Sequence, residues 1–430
     1  MTLQRTSTDI TTITLDSIHH VDDDVVPDLA RDFRIKTIKQ TLDVIGISNY
    51  LGLYEGVAVD QLATHFDVKP DLLERILNAG CFLEILEKRE EKFFLSTFDM
   101  NRPPFVSERL FELNQYGLTN GFDFDRPINE ISFSDTELTI LISSEILELK
   151  HGDIFFSARQ GFNFDSSNSR NNIFRLLYYE NILSKLYSAE NVVETLKNGS
   201  NAWKKFDTHA KDDPFHFYGD KPELLIDLLK TLHYSNDNSN YLLLEAFKNI
   251  APELSSLLDI GGSCGNFALN ADKHYAFDKV HIYEKDDGKK TITTVLEDLQ
   301  ITLPDCLEYK WGNFLSPDVN FLPGIESEKY DLVAMGFILH DWNDETGIQL
   351  LKKAAHHLND DGYLMLMEWV LNEEKNNSIT LQDIDMLLET QGRERTLREF
   401  SNILHPAGLA IKIVITSPGH RSLIAAKKII

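Results

Sequence analysis

Three glycines within five residues follow a short apolar strand, and they mark the part of this chain where chemistry is easiest to predict. Residues 257–265 read Leu-Leu-Asp-Ile-Gly-Gly-Ser-Cys-Gly, so the strand ends beside an acid and then turns on Gly261, Gly262 and Gly265. Glycine lets a backbone approach a ligand closely, and a helix after such a turn offers unpaired N–H groups and the positive end of its dipole. The pattern predicts a cofactor loop, with an ordinary tight turn as the alternative.

The spacing of the glycines narrows the kind of cofactor. It does not match the G-x-G-x-x-G of a dinucleotide site, and no Lys-Ser or Lys-Thr follows as in a P-loop. D-x-G-G-x-x-G resembles the first motif of class I S-adenosylmethionine-dependent methyltransferases. A second apolar strand, residues 280–283, ends in Glu284, and an acid about 20 residues after a Gly-rich turn binds the ribose in nucleotide folds. The alternative is a solvated acid beside Lys285.

His340 follows a further apolar strand, residues 330–335, in the sequence Leu-His-Asp-Trp. An imidazole at that strand end is suited to take the proton from a hydroxyl that accepts a methyl group, because it titrates near neutral pH. Glu368 ends the next strand and Glu394 precedes the last helix, so both acids are expected to converge on the imidazole and stabilise its charged form. The alternative is that His340 only caps the helix that begins near Asn343.

The elements that must position these side chains alternate between strand and helix. A further apolar strand is predicted at 362–367, and residues 347–358 carry apolar side chains at helical spacing. This alternation predicts an α/β fold, a doubly wound Rossmann-like sheet with its ligands at the carboxyl ends of the strands. Residues 410–416 and 422–426 predict a closing hairpin.

The N-terminal part has mainly helical spacing. Residues 60–66 and 70–77 predict a helix-turn-helix, and the alternating segment 88–95 predicts a wing. Such a winged helix is also typical of a transcriptional regulator with a ligand-sensing C-terminal domain. Between residues 60 and 75, however, four acids stand against two basic residues, which is the wrong sign for contacts with phosphates. DNA binding is therefore disfavoured.

The sequence divides into four predicted parts. They are an N-terminal arm at 1–34, either flexible or donated as a strand to a neighbour; a winged helix at 35–100; a linker at 101–180 with an insertion of unknown role at about 117–178; and the alternating α/β part at 181–430.

Charge and cysteine content exclude several classes of protein. Lys+Arg number 42 against 68 Asp+Glu, and the net charge of −26 disfavours nucleic acid and anionic membrane as partners. Cys81, Cys264 and Cys306 are odd in number and far apart, so neither a disulfide framework nor a zinc motif is expected. Because no signal-peptide or membrane-spanning segment is recognisable, we expect a cytoplasmic protein.

Four motifs together resemble the plant caffeate/hydroxyindole type of O-methyltransferase. They are D-x-G-G-x-x-G, L-H-D-W-x-D-E, an acid after the fifth strand and G-x-E-R-T, and the resemblance covers 35–100 and 181–430. It implies S-adenosylmethionine as the cofactor, His340 as general base, and Glu368 and Glu394 as its orienting acids. It also implies that 35–100 is a winged-helix dimerisation domain and that 181–430 is a methyltransferase domain, whose helices at 181–256 would line the substrate pocket. We expect the homodimer to bury the apolar face of the winged helix, namely Leu62, Leu72, Leu73, Ile76 and Leu77.

The resemblance also implies a set of cofactor contacts along the strand ends. The predicted cofactor-binding residues are Asp259, Gly261, Gly262, Gly265, Glu284, Asn313, Phe314, Gly336 and Asp341. The chain departs from the family pattern at three places. This chain has Glu284-Lys-Asp where the family usually has Asp-Leu-Pro, and Gly312-Asn-Phe-Leu where the family usually has Gly-Asp-Phe-Phe. It has Gly336 where many members have lysine.

The acceptor is expected to lie between the two domains. The candidate pocket residues by position, each with plain core packing as the alternative, are Trp203, Phe217, His233, Asn236, Phe337, Trp342 and Met386. His233 and His340 could share a metal, as in an occasional relative, but without a carboxylate-rich cluster we expect none. The predicted reaction is methyl transfer to a hydroxyl, phenolic in character, of a small molecule in secondary metabolism. Transfer to carbon or nitrogen and a non-methylating use of the cofactor are the alternatives.

Overall fold

The computed structural model arranges the chain as an α/β protein around one large sheet. It describes residues 2–5, 10–14, 34, 37–54, 56–96, 147–150, 153–156, 186–199, 222–235, 237–317, 319–390, 392–416 and 421–429. Most of the predicted linker and insertion lies outside these residues. None of the described helices combines the length and apolar character needed to cross a bilayer.

The strands and helices have the following bounds. The strands are β1 (Thr2–Arg5), β2 (Thr11–Thr14), β3 (Val57–Ala58), β4 (Leu86–Arg89), β5 (Lys92–Leu95), β6 (Leu147–Lys150), β7 (Asp153–Phe156), β8 (Ser256–Ile260), β9 (Lys279–Glu284), β10 (Leu307–Trp311), β11 (Tyr330–Gly336), β12 (Leu358–Glu368), β13 (Val370–Leu371), β14 (Arg395–Thr396), β15 (Leu409–Thr416) and β16 (Ser422–Lys428). The helices are α1 (Ile47–Leu53), α2 (Val59–Phe66), α3 (Pro70–Phe82), α4 (Ala189–Asn198), α5 (Pro222–Ser235), α6 (Asp237–Lys248), α7 (Asn266–Tyr275), α8 (Lys289–Asp298), α9 (Asp344–His357), α10 (Ile379–Glu389) and α11 (Leu397–Leu404).

The large sheet has the predicted doubly wound form. Within the described residues its strand order is β1-β2-β15-β16-β12-β11-β8-β9-β10, and β12, β11, β8, β9 and β10 run parallel. Every residue of β8 is buried, as expected for a strand covered on both faces by helices. The predicted hairpin is present, with β15 antiparallel to β16, and β16 joins it to β12.

The carboxyl ends of the parallel strands bring the predicted chemistry to one edge. Gly261 follows β8, while Glu284, Gly336 and Glu368 are the last residues of β9, β11 and β12. Since parallel strands end at the same side of a sheet, residues far apart in sequence meet there. The short turn Leu339–Asp341, which carries His340, lies at the same edge.

The N-terminal arm extends the chain's own sheet. β2 pairs in parallel with β15, with Ile13 opposite Ile415, and the side chain of Ile13 is fully buried. β1 then pairs with β2 at the edge. In this chain the two segments of the arm are therefore ordered as strands of its own sheet, and donation to a neighbour stays a prediction.

The N-terminal helices pack against α10 of the same chain. Leu62, Leu73, Ile76 and Leu77 are fully buried, in one cluster with apolar residues of α10. The expectation that this face packs against a second copy is wrong, because an amphipathic pattern predicts burial of a face and not its partner. The three-stranded sheet β3-β5-β4 completes this part, with β4 and β5 at the position of the predicted wing.

Candidate active site

A cavity of about 250 Å³ lies at the carboxyl edge of the sheet, between the glycine loop and α5. Its wall contains residues from both of the predicted sets. The predicted cofactor and pocket residues that line it are Asp259, Gly261, Gly262, Glu284, Phe314, Gly336, Asp341, His233, Phe337 and Trp342.

Several predicted residues do not line this cavity. Gly265 begins α7 with φ +77°, and the Asn313 side chain accepts the Leu315 N–H at 2.9 Å and so caps its own turn. Met386 lies on α10 and does not line the cavity. Trp203, Phe217 and Asn236 lie outside the described residues.

The glycine loop needs its glycines for two reasons. Gly261 has φ +71°, a left-handed conformation that other residues rarely adopt. A Cβ atom there would also lie 2.3 Å from Ile338 Cδ1, and one at Gly262 would lie 2.5 Å from Asp259 Oδ2. Larger residues would therefore force the loop or these neighbouring side chains to shift.

Glu284 is held in a fixed orientation at the cavity wall. Its carboxylate accepts the N–H of Ser263 at 3.0 Å and that of Lys285 at 2.9 Å. Burial raises the pKa of Glu284, although both hydrogen bonds favour the charged form. Burial, with the charge of Glu284, also raises the pKa of Asp259 to about 7. Acceptor oxygens in this setting suit a ligand that brings hydroxyl or ammonium donors.

A buried lysine supports the wall on which Phe314 lies. Lys353 of α9 donates to the carbonyl of Phe314 at 2.7 Å and to that of Ser316 at 2.5 Å. Only 3% of Lys353 is exposed, although helical spacing alone suggests an ordinary lysine. Sequence reasoning missed this residue because its role depends on a loop remote in the chain.

His340 lies among three carboxylates. Its Nδ1 is 3.0 Å from Glu394 Oε1 and 3.8 Å from Glu368 Oε2, and its Nε2 is 3.7 Å from Asp341 Oδ1. The other oxygen of Glu368 accepts the N–H groups of Ile338 and Leu339 at 3.2 and 2.9 Å, which fixes the turn that carries the imidazole. The three predicted catalytic side chains thus lie together.

These carboxylates change the proton affinity of the imidazole. Burial opposes the charged form of His340, but Glu394, Asp341 and Glu368 outweigh it and raise the pKa of His340 to about 10. Burial raises the pKa of Glu394 to about 7, even though His340 pulls it down. At neutral pH the His340–Glu394 pair therefore holds a proton.

The helix that follows is capped by another residue. The Asn343 side chain accepts the Thr346 N–H at 2.9 Å, as an N-cap residue does. The alternative reading of His340 as the helix cap is therefore wrong. The imidazole is available for other chemistry.

Phe337 lies over the imidazole on the cavity side. The two rings are stacked, with centroids 5.1 Å apart and planes at 7°, and the cavity wall contains Phe337 but not His340. Phe337 has φ +54°, a strained conformation for an aromatic residue. An acceptor that reaches His340 must therefore slide past or displace this ring.

Comparison with known proteins identifies the family. Residues 190–410 match the family model of the O-methyltransferase domain. The chain belongs to this family. It is 27% identical over 182 residues to norreticuline-7-O-methyltransferase of Papaver somniferum, a match that covers 40% of this chain and 44% of that protein. It is 26% identical over 241 residues to acetylserotonin O-methyltransferase of Gallus gallus, covering 54% of this chain and 64% of that protein. The matched region thus spans less than two thirds of either relative.

The fold is shared over nearly the whole length. The structure of human N-acetylserotonin methyltransferase, solved in complex with S-adenosylmethionine, superimposes with a TM-score of 0.54 at 16% identity. The match covers 96% of this chain and 99% of that one. The shared fold therefore extends beyond the O-methyltransferase domain at 190–410 to the N-terminal helices.

The G-x-E-R-T motif of this O-methyltransferase domain packs against the backbone of the turn that carries His340. A Cβ atom at Gly392 would lie 1.8 Å from the His340 carbonyl oxygen, so only glycine fits there. Arg395 is fully buried and donates to the carbonyls of Leu339 and Trp342, each at 2.7 Å. Sequence reasoning found the acid of this motif and missed the arginine.

A second arginine ties the motif to the N-terminal helices. Arg75 on α3 binds both carboxylate oxygens of Asp383 at 2.8 and 2.9 Å and the Gly392 carbonyl at 3.2 Å. Asp383 in turn accepts the backbone N–H of Glu394 at 2.9 Å. The position of the acid beside His340 thus depends on a residue more than 300 positions earlier in the chain.

A third arginine, Arg421, lies at the start of β16 and lines the cavity. Its guanidinium carbon is 3.4 Å from the Phe337 ring centroid, and only 5% of the residue is exposed. Burial lowers the pKa of Arg421 to about 9, while Glu368 and Glu394 raise it. Sequence reasoning missed Arg421. The antiparallel pairing of Ser422 with Glu368 is what places Arg421 at this edge of the sheet.

The cluster around His340 also has the spacing of a metal site. In the described part of the chain, His340, Glu368 and Glu394 offer ligand atoms that lie within 4.8 Å of one another. The 3.0 Å hydrogen bond between His340 and Glu394 explains this spacing without an ion. His233 lines the cavity but is not part of the group.

Proposed function

We propose that this protein is an S-adenosylmethionine-dependent O-methyltransferase that acts on the hydroxyl, phenolic in character, of a small molecule. The observation that carries the proposal is the hydrogen bond of 3.0 Å between His340 Nδ1 and Glu394, beside a cavity that begins at a glycine loop. Family membership supports the reaction type, and the geometry supports the role of each residue.

The residues at the loop fit S-adenosylmethionine. Gly261 and Gly262 leave room for a ligand close to the backbone, and the oriented carboxylate of Glu284 suits a ribose diol. Phe314, 5% exposed, offers an apolar wall for a heterocycle. When bound, this cofactor supplies a methyl group on a sulfonium centre.

In the proposed mechanism His340 takes the acceptor's proton at Nε2. Nδ1 faces Glu394, whereas Nε2 has no hydrogen-bond partner among the described residues. Glu394 and Glu368 stabilise the imidazolium as it forms, and Glu368 also fixes the turn through two backbone N–H groups.

The raised pKa of His340 is what supports a phenolic acceptor. An unperturbed imidazole is several pKa units too weak to take a proton from a phenol, whose pKa is about 10. A His340 pKa of about 10 matches that of a phenol, so the transfer is close to balanced. The same shift means that His340 must first release its own proton, so turnover is expected to rise with pH.

We also propose a homodimer, on a different surface from the face first expected. Leu53 and Tyr54 at the end of α1 are 80% and 54% exposed, and Val44 is 60% exposed. These side chains lie in the N-terminal part, and apolar exposure of this kind marks association surfaces. Sedimentation at micromolar concentration is expected to show twice the chain mass, and Leu53→Glu should restore the monomer.

The test of the function compares His340→Ala with His405→Ala, which alters an exposed histidine. Calorimetry with S-adenosylmethionine and turnover with a panel of phenols are measured for both variants. We expect both to bind the cofactor, and only His340→Ala to lose about 10²–10⁴ in rate at pH 7. Rate should return to it as pH approaches the phenol's own pKa. A wild-type rate in His340→Ala at pH 7 would remove the general-base role.

A further inference from the structure

Arg421 is a buried cation that faces the cavity with its hydrogen-bond donors unused. It is 5% exposed and lines the cavity, yet among the described residues it makes no hydrogen bond and no ion pair. Its guanidinium carbon lies 3.4 Å from the centroid of the Phe337 ring. A guanidinium carries five N–H donors, and leaving them unpaired in a buried site costs stability. Such a group is expected to meet an acceptor that enters the cavity.

The sheet order places Arg421 at the far end of the cavity from the glycine loop. β16 is separated from β8 by β12 and β11, and adjacent strands lie about 4.8 Å apart. The glycine loop follows β8, and Glu284 ends β9, one strand farther away. Arg421 therefore lies on the side of Phe337 and His340, where an acceptor would bind.

The acids behind the cavity do not use the donors of Arg421. Glu368 and Glu394 are close enough to favour its charge, but no described nitrogen–oxygen contact within 4.0 Å joins Arg421 to either one. One oxygen of each acid remains without a hydrogen-bond partner among the described residues, which would not be so if the guanidinium bound it. Arg421 is thus not simply their counter-ion.

We propose that Arg421 determines acceptor specificity by binding a carboxylate, so that this enzyme prefers an ionised acceptor to its neutral analogue. This inference rests on the proposed function. Arg421 and His340 both pack on the Phe337 ring, so an acceptor that displaces this ring would have Arg421 on one side for its acid and His340 on the other for its hydroxyl. A guanidinium binds a carboxylate through two parallel hydrogen bonds, and burial strengthens them.

The experiment measures binding and needs no turnover. Wild-type protein saturated with S-adenosylhomocysteine is titrated by calorimetry with the 2-, 3- and 4-hydroxybenzoates and with the matching hydroxybenzamides, which keep the shape and lose the charge. We expect at least one acid to bind about ten-fold or more tightly than its amide. Arg421→Gln should abolish that preference and leave amide affinity unchanged, and Arg421→Lys should keep part of it. Arg398→Gln, which alters an exposed arginine, is the matched control and should behave as wild type.

Other results would overturn the inference. Equal affinity for acids and amides in the wild type would do so without any variant. A weakening of acid and amide alike in Arg421→Gln would assign the arginine to structure or to its neighbouring acids. Failure of the wild type to bind S-adenosylhomocysteine would overturn the proposed function and this inference together, whereas normal cofactor binding without an acid preference would overturn this inference alone.

Discussion

Replacing Glu394 by glutamine removes a negative charge 3.0 Å from His340 Nδ1 and keeps an oxygen that can accept the same hydrogen bond. Two unit charges at that distance interact by about 5 kcal/mol at an effective dielectric constant of about 20. This energy corresponds to roughly 4 pKa units and is an upper limit, because both charges are delocalised. Since the lost charge stabilised the imidazolium, the pKa of His340 must fall. We expect it to fall by about two to four units from about 10.

The assay is a pH titration of the histidine ring nitrogens by NMR, with the His340 signal assigned from its absence in His340→Ala. A pH–rate profile of turnover provides the second measurement, and its rising limb should move to lower pH in Glu394→Gln. The plateau rate should fall, since a weaker base removes the proton less effectively. Glu345→Gln removes an equal charge from an exposed acid nearby and should leave both profiles unchanged.

The same shift has a consequence for stability. The pKa of His340 is raised from 6.5 to about 10 on folding, so the folded chain holds this proton more tightly than the unfolded one. The stabilisation is complete below pH 6.5 and is lost as pH rises through 10.

An unchanged pKa of His340 and an unmoved rising limb of the pH–rate profile in Glu394→Gln would refute the reasoning, because the carboxylate would then not be what sets the proton affinity of His340.

Three further predictions concern the surroundings of the site. Glu284→Ala should weaken S-adenosylmethionine binding about ten-fold or more, since two charge-assisted hydrogen bonds to the ribose would be lost, and unchanged affinity in calorimetry would remove Glu284 from the cofactor site. Gly392→Ala should lower both Tm and turnover, because its Cβ would displace the His340 carbonyl, and wild-type behaviour would mean that the backbone adapts at little cost. Arg75→Gln should lower turnover while leaving cofactor affinity unchanged, because it releases Asp383 and with it the backbone of the acid beside His340; a loss of cofactor binding instead would indicate general unfolding.

The sequence was sufficient to predict the parts of the site that depend on strand ends. The glycine loop, Glu284 and Glu368 each follow or end a parallel strand, and the topology of a doubly wound sheet brings such residues to one edge. The grouping of His340 with Glu368 and Glu394 could be predicted because their motifs are local and specific, while their catalytic roles stay predictions. The fold class followed from the same alternation of strands and helices.

Other features depend on contacts that a linear pattern does not contain. Arg421 reaches the cavity only through the antiparallel pairing of β16 with β12, and Arg395 acts on carbonyls more than 50 residues away. The apolar face around Leu73 was correctly predicted to be buried and wrongly assigned to a second copy. Periodicity shows which face is covered, whereas the identity of the covering element, here α10, is a tertiary fact.

The bond between Arg75 and Asp383 also bears on how such chains can be recombined. A chimera that takes its first hundred residues from another family member would bring that member's own residue to the place of Arg75, while Asp383 and Glu394 would come from this chain. A donor without an arginine there would leave the buried Asp383 carboxylate without its ion-pair partner, beside the acid that supports His340. The N-terminal segment and the rest of the chain therefore depend on each other through this ion pair. A library built by exchanging N-terminal segments should keep the arginine–aspartate pair intact.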